Sequence, residues 1–597
     1  MRAAIVVLLC CATALRAYAQ DAPAAGPAPQ EPAAQGQPLQ SNDSATAALH
    51  GVVRNAVTGA GVPRALVRIE GDVETGALTD GEGRFEIDGV PPGPLAVDVS
   101  RPGFFNPAFV GSSEAPSGVT GPPHTVLVAA GMPDVIFTLA PTCAIEGRID
   151  LSTGDPAEGI EVGLVRRVVA DGRAVWQPGG FTRTRSDGAY RFGGLADGQY
   201  VVYTMPAFDG EPFTTLVTSG KAAAAQRWGY ASVYYPDARG PAGATAVPVS
   251  NGSDAQANFT LTREPFQTVS VALPQGAARN PAQYAAQLTD GAGHSLPYPA
   301  QYDSSAHTFQ AALPDGAYTL QVTAMPTQTS DQPRPDGPDG QGRAGGLLAG
   351  EADFTVAGRP IAGLRASLAP IASSPVQVSV IHGEAASGAD GDARVVVMLS
   401  PASGALGGPA GGQPGGAIGG ALMGQFATGS ADRPLQSSYM SPGQYWAHTF
   451  IAGRGLCESS FTAGGASLGS EPLTVGPSGQ TASLQLTLRD DCAQLALSLP
   501  ENLMESGAGE EKFYTVYVVP DFDFTWDVTP YVLRPSTGGR LTVPDLTPGS
   551  YHVYLFAGEA NLAYHDPAAL AALPNPGQAV TLSPGANASL VLEAPAQ

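Results

Sequence analysis

The chain has 597 residues, too many for one hydrophobic core, and length alone suggests about four domains. Charged residues make up only 14% and apolar residues 43%, which excludes a solvated, disordered polyampholyte for most of the length. The balance of 30 Lys and Arg against 53 Asp and Glu excludes a nucleic-acid binder, which needs clustered cations to release counterions, and suits a chain kept soluble outside the cell.

The first residues predict export. Arg2 precedes the apolar run Ala3 to Leu15, and Ala17-Tyr18-Ala19 offers the small residues of a signal-peptidase site, with cleavage before Gln20. The run is too short to span a bilayer. Leu8 and Leu9 stand where a lipidated Cys10 or Cys11 would need small residues, so release is expected over lipid anchoring. Residues 20–47 are rich in Ala, Pro and Gln without a hydrophobic period, and read as a disordered tether.

A repeat then begins. Asp80-Gly81-Glu82-Gly83 supplies turn chemistry, Phe85 and Ile87 alternate with polar neighbours, and Pro92-Gly93 has the order of a type II turn. Leu95, Val97 and Val99 share one face of the strand that follows. The same turn returns as Asp197-Gly198-Gln199-Tyr200, Asp315-Gly316-Ala317-Tyr318, Pro442-Gly443-Gln444-Tyr445 and Pro548-Gly549-Ser550-Tyr551. The spacing, about 105 to 127 residues, is the size of one small β-domain. Each turn is preceded by a strand (Tyr190-Arg191-Phe192, Phe309-Gln310-Ala311, Leu541-Thr542-Val543), more weakly in the fourth copy.

Each turn is also followed, some tens of residues on, by a strand, a Gly-containing turn and a strand, first at Val126–Val128 and Val135–Leu139, last at Val580–Leu582 and Leu590–Leu592. Helical period is nearly absent; Ala568 to Leu573 predicts a turn or two. The fold class is therefore all-β: a tandem array of about five antiparallel β-sandwich domains of transthyretin-like or Ig-like kind after a signal peptide and linker. The expected boundaries are 48–141, 142–264, 265–370, 371–491 with a Gly-rich loop, and 492–597. In each sandwich the Tyr after the Gly is expected to bury its ring and give its hydroxyl to the backbone. Residues 404–424 and 327–345 read as long, mobile low-complexity loops.

His50-Gly51-Val52-Val53, Thr58-Gly59, Pro63 to Ile69 and Thr79 to Phe85 resemble the carboxypeptidase regulatory-like domain. Ile145-Glu146-Gly147-Arg148-Ile149, Ser186 to Phe192 and Tyr234-Tyr235-Pro236 extend the resemblance into a second module, beyond which it fades to strand grammar. The resemblance implies a transthyretin-like sandwich common in secreted bacterial proteins, a scaffold or ligand-binding unit that is non-catalytic in metallocarboxypeptidases. Related sandwiches include starch-binding modules, which makes carbohydrate a partner by analogy.

Catalytic patterns are thin. None of the eight histidines begins His-Glu-x-x-His, so no zinc peptidase site, metal or cofactor is expected. Gly465-Ala466-Ser467-Leu468-Gly469 matches a nucleophile-elbow pattern, yet Glu471-Pro472 and a strand follow where that elbow needs a helix. A hydrolase reading would require Ser467 beside a His and an acid. Asp521-Phe522-Asp523-Phe524-Thr525-Trp526-Asp527, read as a strand, puts Phe522, Phe524 and Trp526 on one face and the acids on the other, as a sugar platform, as a calcium site made from the carboxylates (not an EF-hand, since Trp526 and Val532 stand where its loop needs Gly and Glu), or as a core-facing edge strand. Trp228, Tyr234 and Tyr235, with Trp176 and Tyr230, form a second aromatic set open to the platform and core readings.

Beyond the leader, Cys143, Cys457 and Cys492 are an odd number, leaving at least one unpaired. Cys457 and Cys492 close a short loop worth roughly 3–4 kcal/mol if bonded, and three reduced, buried thiols are the alternative. Function is expected to be non-enzymatic: an exported array that binds or spaces in the periplasm or outside the cell. Its expected partners are a polysaccharide or a cell-envelope protein, without nucleic acid or a transmembrane span.

Overall fold

The computed structural model describes residues 47–70, 75–107, 124–210, 226–274, 283–291, 293–325, 348–370, 375–383, 394–402, 435–436, 443–452, 455–476, 479–504, 509–510 and 512–594. The expected leader, the expected tether up to residue 46 and the segments 327–345 and 404–424 lie outside them.

One pairing rule is repeated five times. The opening strand of each module runs antiparallel to the strand that precedes the glycine turn and parallel to the module's last strand. In the first module Ala47–Asn55 lies between Arg84–Val90 and Val135–Pro141. Cys143–Leu151 lies between Ala189–Leu195 and the pair Asp254–Gln256 and Phe259–Leu261. Arg263–Ala272, Pro375–Ile381 and Ala493–Ser498 do the same in the third, fourth and fifth modules. In the fourth the antiparallel neighbour is only Leu435–Gln436, matching the weak repeat in the sequence there.

The strand after the glycine organises the second sheet of each sandwich. Gly93–Ser100, Gly198–Thr204, Gly316–Met325, Gly443–Ala452 and Gly549–Ala557 each sit between two antiparallel partners. Gly93 opens its strand at φ 128° and Gly549 at φ 157°, so glycine enters the sheet directly from a bend where a closed type II turn was expected.

Alternating burial follows from the alternating sequence. Arg84–Val90 buries Phe85 and Ile87 and exposes the residues between, and the two sheets close over Leu49, Val53, Val97, Val99, Val126 and Phe137. Four further cores are built the same way. The corner tyrosines behave alike: Tyr200 Oη donates to the Ala196 carbonyl at 2.7 Å, Tyr318 to Pro314 at 3.0 Å, and Tyr551 to Thr547. Each carbonyl lies four residues upstream, so one side chain pins the turn and fills the core.

The modules also exchange strands. Ala207–Phe208 and Gln226–Tyr230, from the second stretch of sequence, extend the sheet of the third, and Phe208 enters the third core. Gly509–Glu510, from the fifth, pairs with His124–Val128 at the edge of the first module. The α-helix expected near Ala568 spans Pro567–Ala571, capped by the Asp566 carboxylate on the amides of Ala568 and Ala569. Among the described residues no helix is long and apolar enough to cross a membrane.

Candidate functional site: a junction of three modules

The six aromatic candidates do not form a platform. Residues 521–530 are a loop, which corrects the strand expected there; Asp521, Asp523 and Asp527 bond to His552, Ser470 and His448. Phe524 is buried, with its ring stacked on His565 at 4.5 Å and 4.9 Å from Trp526. Phe522 is half-buried, edge-on to Tyr551 at 5.6 Å. Tyr234 is fully buried and stacks on Tyr203 at 5.1 Å, and half-buried Tyr235 packs edge-on against Phe259. Trp176 packs beside Tyr203 and Tyr234. Of the six, only Trp228 has a substantially open ring, 44% exposed, and the Arg263 guanidinium lies 4.8 Å over it.

What the loop does is join modules. Asp527 bonds His448 Nδ1 of the fourth module at 2.8 Å, and Asp523 accepts from Ser470 Oγ at 2.8 Å. Between them Thr525 gives its amide (3.0 Å) and hydroxyl (2.7 Å) to the Glu458 carboxylate, which is only 2% exposed. The Thr449 amide donates to the Thr525 carbonyl, and the two threonine hydroxyls meet at 2.6 Å. Burial pushes the Glu458 carboxyl above its ordinary value even against these donors.

The second module reaches the same place through a long hairpin, Glu161–Ala170 and Arg173–Arg183. Its tip is Asp171-Gly172, with φ 49° and 69°, the two-residue turn that matches strand twist. Gly172 faces the Tyr564 ring so closely that a Cβ would lie 2.2 Å from it, and its carbonyl accepts the His565 amide at 2.9 Å. Arg173 stacks over Trp446 at 3.5 Å and donates to the Gly469 carbonyl at 3.0 Å. Gly469 is itself a close-approach position, where a Cβ would stand 2.5 Å from the Phe524 nitrogen.

Ionisation at the junction is shaped by burial. It lowers Arg173 to about 10 and, with Arg173 and His448 nearby, His565 to about 3, so that ring stays neutral. Burial and then Asp527 raise the Asp171 carboxyl, opposed by His448. His448 is 5% exposed, and its second ring nitrogen, Nε2, lies 2.8 Å from Ser400 Oγ.

Ser467 sits in the two-residue strand Ala466–Ser467, where its Oγ accepts the Gly469 amide at 3.3 Å. Cys457 and Cys492 form a disulfide, and Cys143 is buried and free. Among the described residues no group of three or more His, Cys, Asp and Glu could hold a metal ion. The sequence reading passed over Arg173, His448, Glu458 and Tyr564. One signal for part of this was available: Asp171-Gly172 between apolar runs is a strong short-range hairpin pattern.

Residues 48–111 match the carboxypeptidase regulatory-like domain family. The chain is a multi-domain β-sandwich protein that carries this domain at its first module. No curated protein matches it. Among solved structures it is similar to the Bacillus anthracis TIE protein at 12% identity, with a TM-score of 0.15, over 54% of this chain and 49% of that one. A streptococcal ancillary pilin matches at 13% identity and a TM-score of 0.17, over 54% of this chain and 99% of that one. The major pilin subunit BcpA of Bacillus cereus matches at 8% identity and a TM-score of 0.12, over 76% of this chain and 98% of that one. At these TM-scores the likenesses carry no functional conclusion.

Proposed function

We propose that the chain is an exported structural component of the cell envelope or exterior, an array of sandwich modules that spaces or presents a partner. The observation that carries this reading is the junction of the second, fourth and fifth modules. Hydrogen bonds, stacked rings and a cation over an indole are spent there on holding modules to one another. The strand that residues 509–510 add to the first module's sheet works in the same direction.

Carbohydrate recognition by aromatics is supported less well, since five of the six candidate rings are buried or packed. Pull-down on insoluble polysaccharides, with Trp228→Ala and Trp526→Ala as controls, separates the two. The spacing reading expects no retention. Retention lost in Trp228→Ala would replace it with sugar binding.

A further inference from the structure

We propose that the junction carries an acyl-transfer site in which Ser400 is the nucleophile, His448 its general base and Asp527 the group that orients the base. Ser400 and His448 lie on neighbouring antiparallel strands, Arg394–Pro401 and Gly443–Ala452, in which Ser400 pairs with Trp446 and Met398 with His448. The serine and histidine are thus diagonal neighbours on one face. Oγ to Nε2 is 2.8 Å and Nδ1 to the Asp527 Oδ1 is 2.8 Å. A carboxylate at Nδ1 holds the proton on that nitrogen, leaving Nε2 as the acceptor for the serine hydroxyl. These are the contacts that activate a serine, here with the three residues in the chain order Ser, His, Asp.

Two further features lie at the same strand pair. Arg173 lies over Trp446, the residue directly across from Ser400, and its Nε is buried without a hydrogen-bond partner. In the proposed site this unspent guanidinium N–H is the donor to the oxyanion that develops when Ser400 attacks. Met398 and Phe450 share the face with His448, and Phe450 is 41% exposed, giving an apolar strip for an acyl group. The substrate class is a carboxylic ester with an apolar acyl part.

Ser400 Oγ bonds to the ester carbonyl carbon while its proton passes to His448 Nε2. The C–O bond to the alcohol then breaks, and the imidazolium returns the proton to the departing oxygen. Water, deprotonated by the same nitrogen, attacks the acyl-serine; the ester bond to Oγ breaks, the imidazolium returns its proton to Oγ, and the free acid leaves. The sum is ester plus water to acid plus alcohol.

The test treats the full chain with a fluorophosphonate probe and maps the adduct, with 4-nitrophenyl butyrate hydrolysis as the second readout. An adduct on Ser400, its loss in Ser400→Ala with an unchanged melting curve, and hydrolysis at least about 100-fold slower in Asp527→Asn are expected. No adduct on Ser400 in the folded chain, or Ser400→Ala hydrolysing at the parent rate, overturns the proposal. Should Ser400→Ala fail to fold, Ser400→Cys answers the question of access. Alkylation of that thiol by iodoacetamide in the native chain supports the site, and protection of it overturns the site.

Discussion

The Glu458 carboxylate, sealed from solvent on the fourth module, accepts both the amide and the hydroxyl of Thr525 from the fifth. A carboxyl there keeps its proton in the folded chain after the unfolded chain has released it, because burial raises its value. The contribution to stability is therefore full at pH below about 4, the ordinary glutamate range, and is lost as pH rises through the folded value. Glu458→Gln, which keeps an acceptor for the Thr525 amide, should remove this slope from urea unfolding curves across pH 4 to 8. Glu458→Ala should instead cost about 2–4 kcal/mol by leaving the Thr525 donors unmet.

His565 works with the opposite sign. Its folded value of about 3, set first by burial and then by Arg173 and His448, lies below the ordinary 6.5. Stability from this group is present above pH 6.5 and drains away as pH falls toward 3. His565→Phe preserves a ring on Phe524 and should flatten that acid limb by on the order of 3–4 kcal/mol. An acid limb as steep as the parent's would show that the histidine is charged in the fold.

The Cys457–Cys492 bond closes a loop of 35 residues between the fourth module and the opening of the fifth. Replacing both cysteines with serine should lower stability by about 3–4 kcal/mol. Peptide mapping should find Cys143 alkylated only after denaturation, since it is buried and carries a thiol pushed up by burial and by Asp197.

How much of this was written in the sequence divides by range of interaction. The glycine–tyrosine corners and the alternation at Phe85 and Ile87 are local patterns, and pairing follows from them because each sandwich has one inner face to fill. The 521–527 segment has the same alternation, yet it folds as a loop. Its acids are claimed by His552, Ser470 and His448, residues 31 to 79 positions away, which no local period reveals. Gly469 shows the same limit: within a nucleophile-elbow pattern it reads as a catalytic signature, whereas its role is to let the Phe524 backbone approach.

The corner tyrosines give a prediction that separates hydroxyl from ring. Tyr551 is fully buried and its Oη is bonded to the Thr547 carbonyl. Tyr551→Phe keeps the packing and should cost about 1–2 kcal/mol in chemical denaturation for the unmet carbonyl. Tyr551→Ala should cost about 3–5 kcal/mol, as the cavity is added to that loss. The first module has Leu95 where the others have Tyr, so its turn holds without this bond.

The closeness of the hairpin tip to the fifth module rests on an absent side chain. A Cβ on Gly172 would meet the Tyr564 ring at 2.2 Å, and that ring is buried and cannot swing away. Gly59 has nearly the same backbone, φ 69° as at Gly172, but open space around it. Gly59→Ala therefore reports the cost of the left-handed backbone alone, about 1 kcal/mol. Gly172→Ala adds a clash of about 1–3 kcal/mol. Because the hairpin tip would have to retreat, hydrogen exchange in residues 521–530 and 562–566 should quicken in Gly172→Ala and stay at the parent rate in Gly59→Ala. Equal exchange in the two variants would mean that the second module is not held at this junction in solution.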